Sequence, residues 1–151
     1  MFAQGPIYQS TDRQTLKGLP AFYVLVDVVP ELSGVLTTEQ IQTDVELRLR
    51  KAGIQVATQT ATRSLTTYLY VQINGTKLNG SAAGLVTYDL HIGLNQLASL
   101  PRMPDKFVVV ETWSISAIGW SGIVNATKGI REQVGDYIDK FANAYLSVNP
   151  K

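Results

Sequence analysis

Along this chain the apolar positions switch between a period of two and a period near 3.6, and the switches mark six elements. Residues 21–29 (AFYVLVDVV) are β-branched or aromatic on both alternating sets, with Phe22, Val24, Val26 and Val28 on one side and Tyr23, Leu25, Asp27 and Val29 on the other. That pattern predicts a strand inside a sheet. Pro30 and Gly34 end it. Thr37 and Gln40 then form a T-x-x-Q capping box, in which each side chain satisfies a backbone N–H at the other's position. Ile41, Val45, Leu49 and Ala52 follow as one stripe, with Asp44/Arg48 and Glu46/Arg50 as acid-first i,i+4 pairs on the wet side. Gly53 suits a left-handed cap, so the spacing predicts a helix over 38–52.

Ile54 to Ala57 reads as a short strand before a Thr-rich stretch at 58–66. From Tyr68 to Ile73 the alternation is clean, with Leu69, Val71 and Ile73 facing one way and Tyr68, Tyr70 and Gln72 the other. Asn74-Gly75 and Asn79-Gly80 are turn dipeptides that mark a hairpin loop. The returning strand places Val86, Tyr88, Leu90, Ile92 and Leu94 on the core side and Thr87, Asp89 and His91 on the other. Pro101 and Pro104 break the chain before another strand, Phe107 to Ile118, which is long enough to bend or carry a bulge near Ser114 to Ser116. Gly119 to Gly122 turns it. A closing helix is expected from after Asn125 to about Val148, with Ile130, Val134, Ile138, Phe141, Tyr145 and Val148 as its buried stripe.

This order, β-α-β-β-β-α with two one-sided helices, predicts an α+β fold: a mostly antiparallel four-stranded sheet with two helices packed on one face. One domain over 19–151 accounts for the pattern, preceded by a flexible amino-terminal segment at 1–18. At 151 residues, a chain of this size buries roughly 70% of its unfolded surface and needs no metal or disulfide to hold it. The absence of cysteine excludes disulfide frameworks, thiolate metal sites and cysteine nucleophiles together. No apolar run approaches the ~18 residues of a membrane span.

The element order resembles small bacterial envelope domains such as the amino-terminal domain of the Tol-Pal translocation protein and the lipopolysaccharide-assembly lipoprotein. The stretches TDVELRLRKAGI and FANAYLSVNPK are also similar to those of uncharacterised exported bacterial proteins. The resemblance implies an exported protein of the periplasm or cell envelope that works through contacts, and it carries no site residue across. It departs from the lipoprotein at one point, since a lipid anchor needs a cysteine and this chain has none. Met1-Phe2-Ala3-Gln4-Gly5-Pro6 reads as the join left where a signal peptide is removed, with Ala3 as the last residue of the trimmed site.

Candidate chemistry is sparse. Asp89 and His91, two apart on one strand, share a face, and Glu111 of the neighbouring strand joins them as a candidate acid–base set; a carboxylate orienting an imidazole is how a general base is built. The same residues are also the wet side of a half-exposed strand, where polar positions alternate with apolar ones. Gly119-Trp120-Ser121-Gly122-Ile123 approaches the G-x-S-x-G nucleophile elbow, but Ile123 replaces the last glycine and the single histidine precedes the serine. No metal-ligand spacing and no phosphate-binding motif is present, so no cofactor or metal is expected. Tyr68 and Tyr70 on a sheet face are similar to the aromatics on which RNA-binding sheets stack bases. With a net charge of +1 and three ionic residues of each sign on the closing helix, no nucleic-acid partner is expected.

The reading reached from sequence is a non-enzymatic binding or assembly domain acting on a protein partner or on itself. Tyr68, Tyr70, Asp89, His91 and Trp120 are its candidate contact residues. The alternatives are a small-molecule or glycan binder on the same sheet face, and an enzyme using Asp89, His91 and Glu111.

Overall fold

The computed structural model describes residues 12–58 and 66–150. Strands β1 (Tyr23–Val28), β2 (Tyr68–Lys77), β3 (Leu85–Leu100) and β4 (Met103–Gly122) form one sheet in the order β1-β2-β3-β4. β1 is parallel to β2, and the other two pairs are antiparallel. A parallel neighbour must be reached by a crossover, and helix α1 (Thr38–Lys51) supplies it; the antiparallel neighbours need only turns, at 78–84 and 101–102. Helix α2 (Ile123–Val148) closes the chain. The architecture is α+β, as the element order predicts.

Both helices cover the same sheet face. Ile41, Val45 and Leu49 of α1 and Val134, Ile138 and Phe141 of α2 are buried with Leu69, Val71, Leu90 and Ile92 of the sheet in one core. Phe141 is its aromatic centre, edge-on to Phe22 at 5.9 Å and to Trp113 at 5.1 Å. α1 starts where its cap dictates: Thr37 Oγ1 accepts the Gln40 N–H and Gln40 Oε1 accepts the Thr37 N–H, both at 3.2 Å. It ends at Gly53, whose φ of +80° only glycine adopts cheaply.

The helices are also tied by charge. The expected Glu46/Arg50 pair forms at 2.7 Å, but Asp44 turns to Arg131 of α2, which grips it with two N–H donors at 2.7 and 2.9 Å. Arg48 lies 3.5 Å from Asp139. Docking of α2 thus overrides the local Asp44/Arg48 pairing, because a forked Arg–carboxylate contact is the better geometry.

Several boundaries differ from the sequence reading. β1 is an edge strand; its apolar outward set is explained by Tyr23 stacking on Tyr68 at 5.3 Å. The strand expected at 54–57 reduces to a single parallel bridge, Val56 to Phe22. Asn74-Gly75 lies inside β2, where a Cβ at Gly75 would meet the Thr87 carbonyl at 2.5 Å; close backbone approach, not a turn, requires this glycine. Gly119 to Gly122 belongs to β4, and the space left by Gly119 is filled by the Tyr88 ring, whose hydroxyl donates to Gln133 of α2 at 2.7 Å. α2 accordingly starts at Ile123. The bulge falls at Thr112, between the pairs Leu94/Trp113 and Asn95/Glu111, and not at Ser114 to Ser116. Within the amino-terminal segment, Leu16 is fully buried in the core, so residues 12–18 pack on the domain; residues 1–11 lie outside the described residues.

Leu49→Ala and Phe141→Ala remove fully buried side chains and should each cost about 2–5 kcal/mol in denaturant unfolding. A loss under about 1 kcal/mol at either position would contradict the shared core.

Candidate functional site

The face of the sheet away from the helices follows from the pleat. It carries Tyr23, Leu25 and Asp27 of β1, Tyr68, Tyr70 and Gln72 of β2, then the odd-numbered residues of β3 from Thr87 to Ser99. On β4 the bulge at Thr112 changes the parity. Phe107, Val109 and Glu111 face outward before it, and Ser114, Ser116, Ile118 and Trp120 after it. None of the described elements packs over this face.

At its centre His91 is held on both nitrogens. Nε2 lies 2.6 Å from Glu111 Oε2, and Nδ1 lies 2.7 Å from Ser116 Oγ. A carboxylate can only accept, so Nε2–H donates to Glu111; Nδ1 accepts from the Ser116 hydroxyl when the ring is neutral and donates to it when the ring is charged. Two local irregularities make this row. The bulge sets the parity: without the extra residue Thr112, Glu111 and Ser116 would lie on opposite faces of the sheet. Gly93 leaves the floor bare: a Cβ there would meet Glu111 Oε2 at 2.0 Å and His91 Nε2 at 3.0 Å.

The structure therefore brings together Glu111, His91 and Ser116, and leaves Asp89 out. Asp89 sits between Asn74 and Ile118 in the ladder, makes no hydrogen bond to His91, and borders a shallow depression of about 340 Å³ with Asn74, Gly75, Thr87, Tyr88 and Ile118. Ser116 was not legible as a partner, because its placement opposite His91 depends on the register after the bulge. Trp120 lies on the open face at the end of β4, 73% exposed, next to Ile118 at 87%. Tyr68 stacks on Tyr23, and Tyr70 donates its hydroxyl to Asp27 Oδ2 at 3.2 Å. Both of these tyrosines are half-buried, so their rings form the floor of the face more than its projections.

Among the described residues, no group of three or more His, Asp or Glu side chains is placed to hold a metal, and no helix is long and apolar enough to cross a membrane.

No protein-family description matches the chain, and no curated protein matches it. Among solved structures it is similar to a minor lipoprotein from Acinetobacter baumannii, at 12% identity and a TM-score of 0.40, over 85% of this chain and 94% of that one.

Two measurements test the geometry of this face. Gly93→Ala must push the Glu111 carboxylate off His91 and should cost about 1–3 kcal/mol, whereas in a Glu111→Ala background the same change should cost clearly less. Equal costs in both backgrounds would place Glu111 elsewhere. Burial first, and the neighbouring Tyr68 second, raises the pKa of Tyr23; burial and then Asp27 raises that of Tyr70; burial and then Tyr137 raises that of Tyr88. A tyrosine raised in the fold supplies stability that is full below its unfolded value near 10 and is lost as pH climbs through the folded value. Melting temperature should accordingly fall above pH ~10 more steeply in the native chain than in the Tyr23→Phe/Tyr70→Phe/Tyr88→Phe variant.

Proposed function

We propose that this chain is an exported, non-enzymatic binding or assembly domain that docks a protein partner on the open face of its sheet. The observation that carries the reading is the row of large apolar side chains left in water on that face, Phe107 at 68% exposed and Val109 joining Ile118 and Trp120. Exposed apolar and aromatic side chains at both ends of a polar stretch are the composition of a contact surface. The setting in the cell envelope is supported by the element order.

A second reading has one specific observation in its favour, the Glu111–His91–Ser116 row, which has the order of an orienting acid, a base and a nucleophile. In acyl transfer, Ser116 Oγ would attack the carbonyl while His91 Nδ1 takes its proton. The reaction also needs amide donors aimed at the developing oxyanion. Here the backbone amides lie in the plane of the sheet, while Ser116 Oγ stands off it, so the row favours holding His91 in place over turnover. The depression beside Asp89 is open and shallow, which weighs against a small-molecule or glycan site.

A photo-crosslinking residue in place of Trp120 should capture a discrete partner in the native cell, and the same residue in place of Glu132 on the exposed side of α2 should not. Equal capture from both positions would contradict docking on the open face. His91→Gln should leave no lost turnover to measure; loss of a measured reaction in that variant would overturn the non-enzymatic reading.

A further inference from the structure

Charge is distributed unevenly over the two sides of the sheet. On the helix side, carboxylates are matched by cations: Asp44 holds Arg131, Asp139 holds Arg48, Glu46 holds Arg50 and Glu132 holds Lys128. On the open face the charged side chains from β1 to Trp120 are Asp27, Asp89 and Glu111, and among the described residues no lysine or arginine joins them. Lys77 ends β2 with its ammonium on the Ser33 carbonyl, and Lys106 precedes the outward Phe107 and so alternates to the helix side.

The three acids also converge. Asp27 stands in the ladder row Asp27–Gln72–His91–Ser116 and Asp89 in the next row, Asn74–Asp89–Ile118, while the Glu111 side chain reaches His91 in the first. Tyr70 donates to Asp27 and His91 to Glu111, which orients these carboxylates; Asp89 is in no ion pair among the described residues.

Resting on the docking role proposed above, we infer that the partner meets this face with a basic segment in which lysines or arginines lie between apolar side chains. Like charges gathered on one surface repel each other, and a cation brought from outside relieves them. The sign is wrong for nucleic acid and for anionic lipid, whose phosphates the carboxylates repel. The order along β4 supplies the rest of the pattern, with Phe107 and Val109 at one end of the acids and Ile118 and Trp120 at the other. From Val109 to Ile118 the strand runs roughly 26 Å at ~3.3 Å per residue, so about eight extended residues of a partner reach from one apolar group to the other. Beside Asp89 the depression of about 340 Å³ seats one basic side chain, with the carboxylate, Asn74 and Thr87 for the cation and Ile118 for its aliphatic stem. An open depression suffices there, because the rest of the segment holds the side chain in place.

Labelled peptides with leucines at both ends and lysines between them test the charge, beside counterparts carrying glutamine or glutamate in place of lysine. The lysine peptide should bind the native chain with an affinity that falls as salt is raised, and the glutamate peptide should not bind. Asp27→Asn/Asp89→Asn should weaken binding of the lysine peptide roughly tenfold, the loss of two partly exposed ion pairs, with an unchanged circular dichroism spectrum. Asp27→Asn keeps an oxygen to accept the Tyr70 hydroxyl. Glu132→Gln/Asp136→Asn removes the same charge from exposed positions of α2 and should leave binding unchanged. A lysine peptide that binds no better than its glutamine or glutamate counterpart overturns the basic partner, and so does equal weakening by the two double variants. Capture from Trp120 through a partner segment without lysine or arginine also overturns it, and leaves the docking face standing; no capture from Trp120 together with no peptide binding removes both.

Discussion

The turns that join β2 to β3 and β3 to β4 are too short to fold back over the sheet, and none of the described residues covers its second face. The crossover from β1 to β2 and the closing segment form the two long helices, α1 and α2, and both lie on the same side. Each strand must therefore be apolar on one set of alternating positions and tolerant of water on the other. Leu69, Val71, Leu90 and Ile92 take the first role, and Tyr70, Gln72, Asp89 and His91 the second. The core and the open face both follow from that one-sided layering.

Against this background the Glu111–His91–Ser116 row stands out because two rule-breaking features serve it. A glycine in mid-strand and a bulge both weaken a ladder, and both are needed here for the carboxylate to cross to the imidazole. Features that cost stability and converge on one side chain are expected where a surface has work to do. On a docking face the row would give a polar centre flanked along β4 by Phe107 and Val109 at one end and Ile118 and Trp120 at the other, which combines specificity with apolar contact area.

The layers of the fold were legible because period and capping are local. Thr37 with Gln40 set the start of α1, Gly53 set its end, and the stripe from Ile130 to Val148 identified α2. What was not legible depended on partners distant in sequence. Gly75 and Gly119 look like turn residues until Thr87 and Tyr88 are seen to occupy the space they leave. Asp44 looks like a partner for Arg48 until α2 brings Arg131 to it. His91 and Glu111 could be named from alternation alone, but replacing Asp89 by Ser116 in the set required the position of the bulge, and no sequence signal separates Thr112 from its neighbours as the extra residue.

The two tryptophans offer the most direct measurement of the one-sided layering, since Trp113 packs on Phe141 beneath the helices and Trp120 stands on the open face. In a Trp113→Phe variant the fluorescence of Trp120 alone should be red-shifted and readily quenched by iodide, and in a Trp120→Phe variant that of Trp113 should be blue-shifted and shielded. Blue-shifted, unquenched emission from Trp120 in the isolated protein would show the face to be covered and would contradict the account.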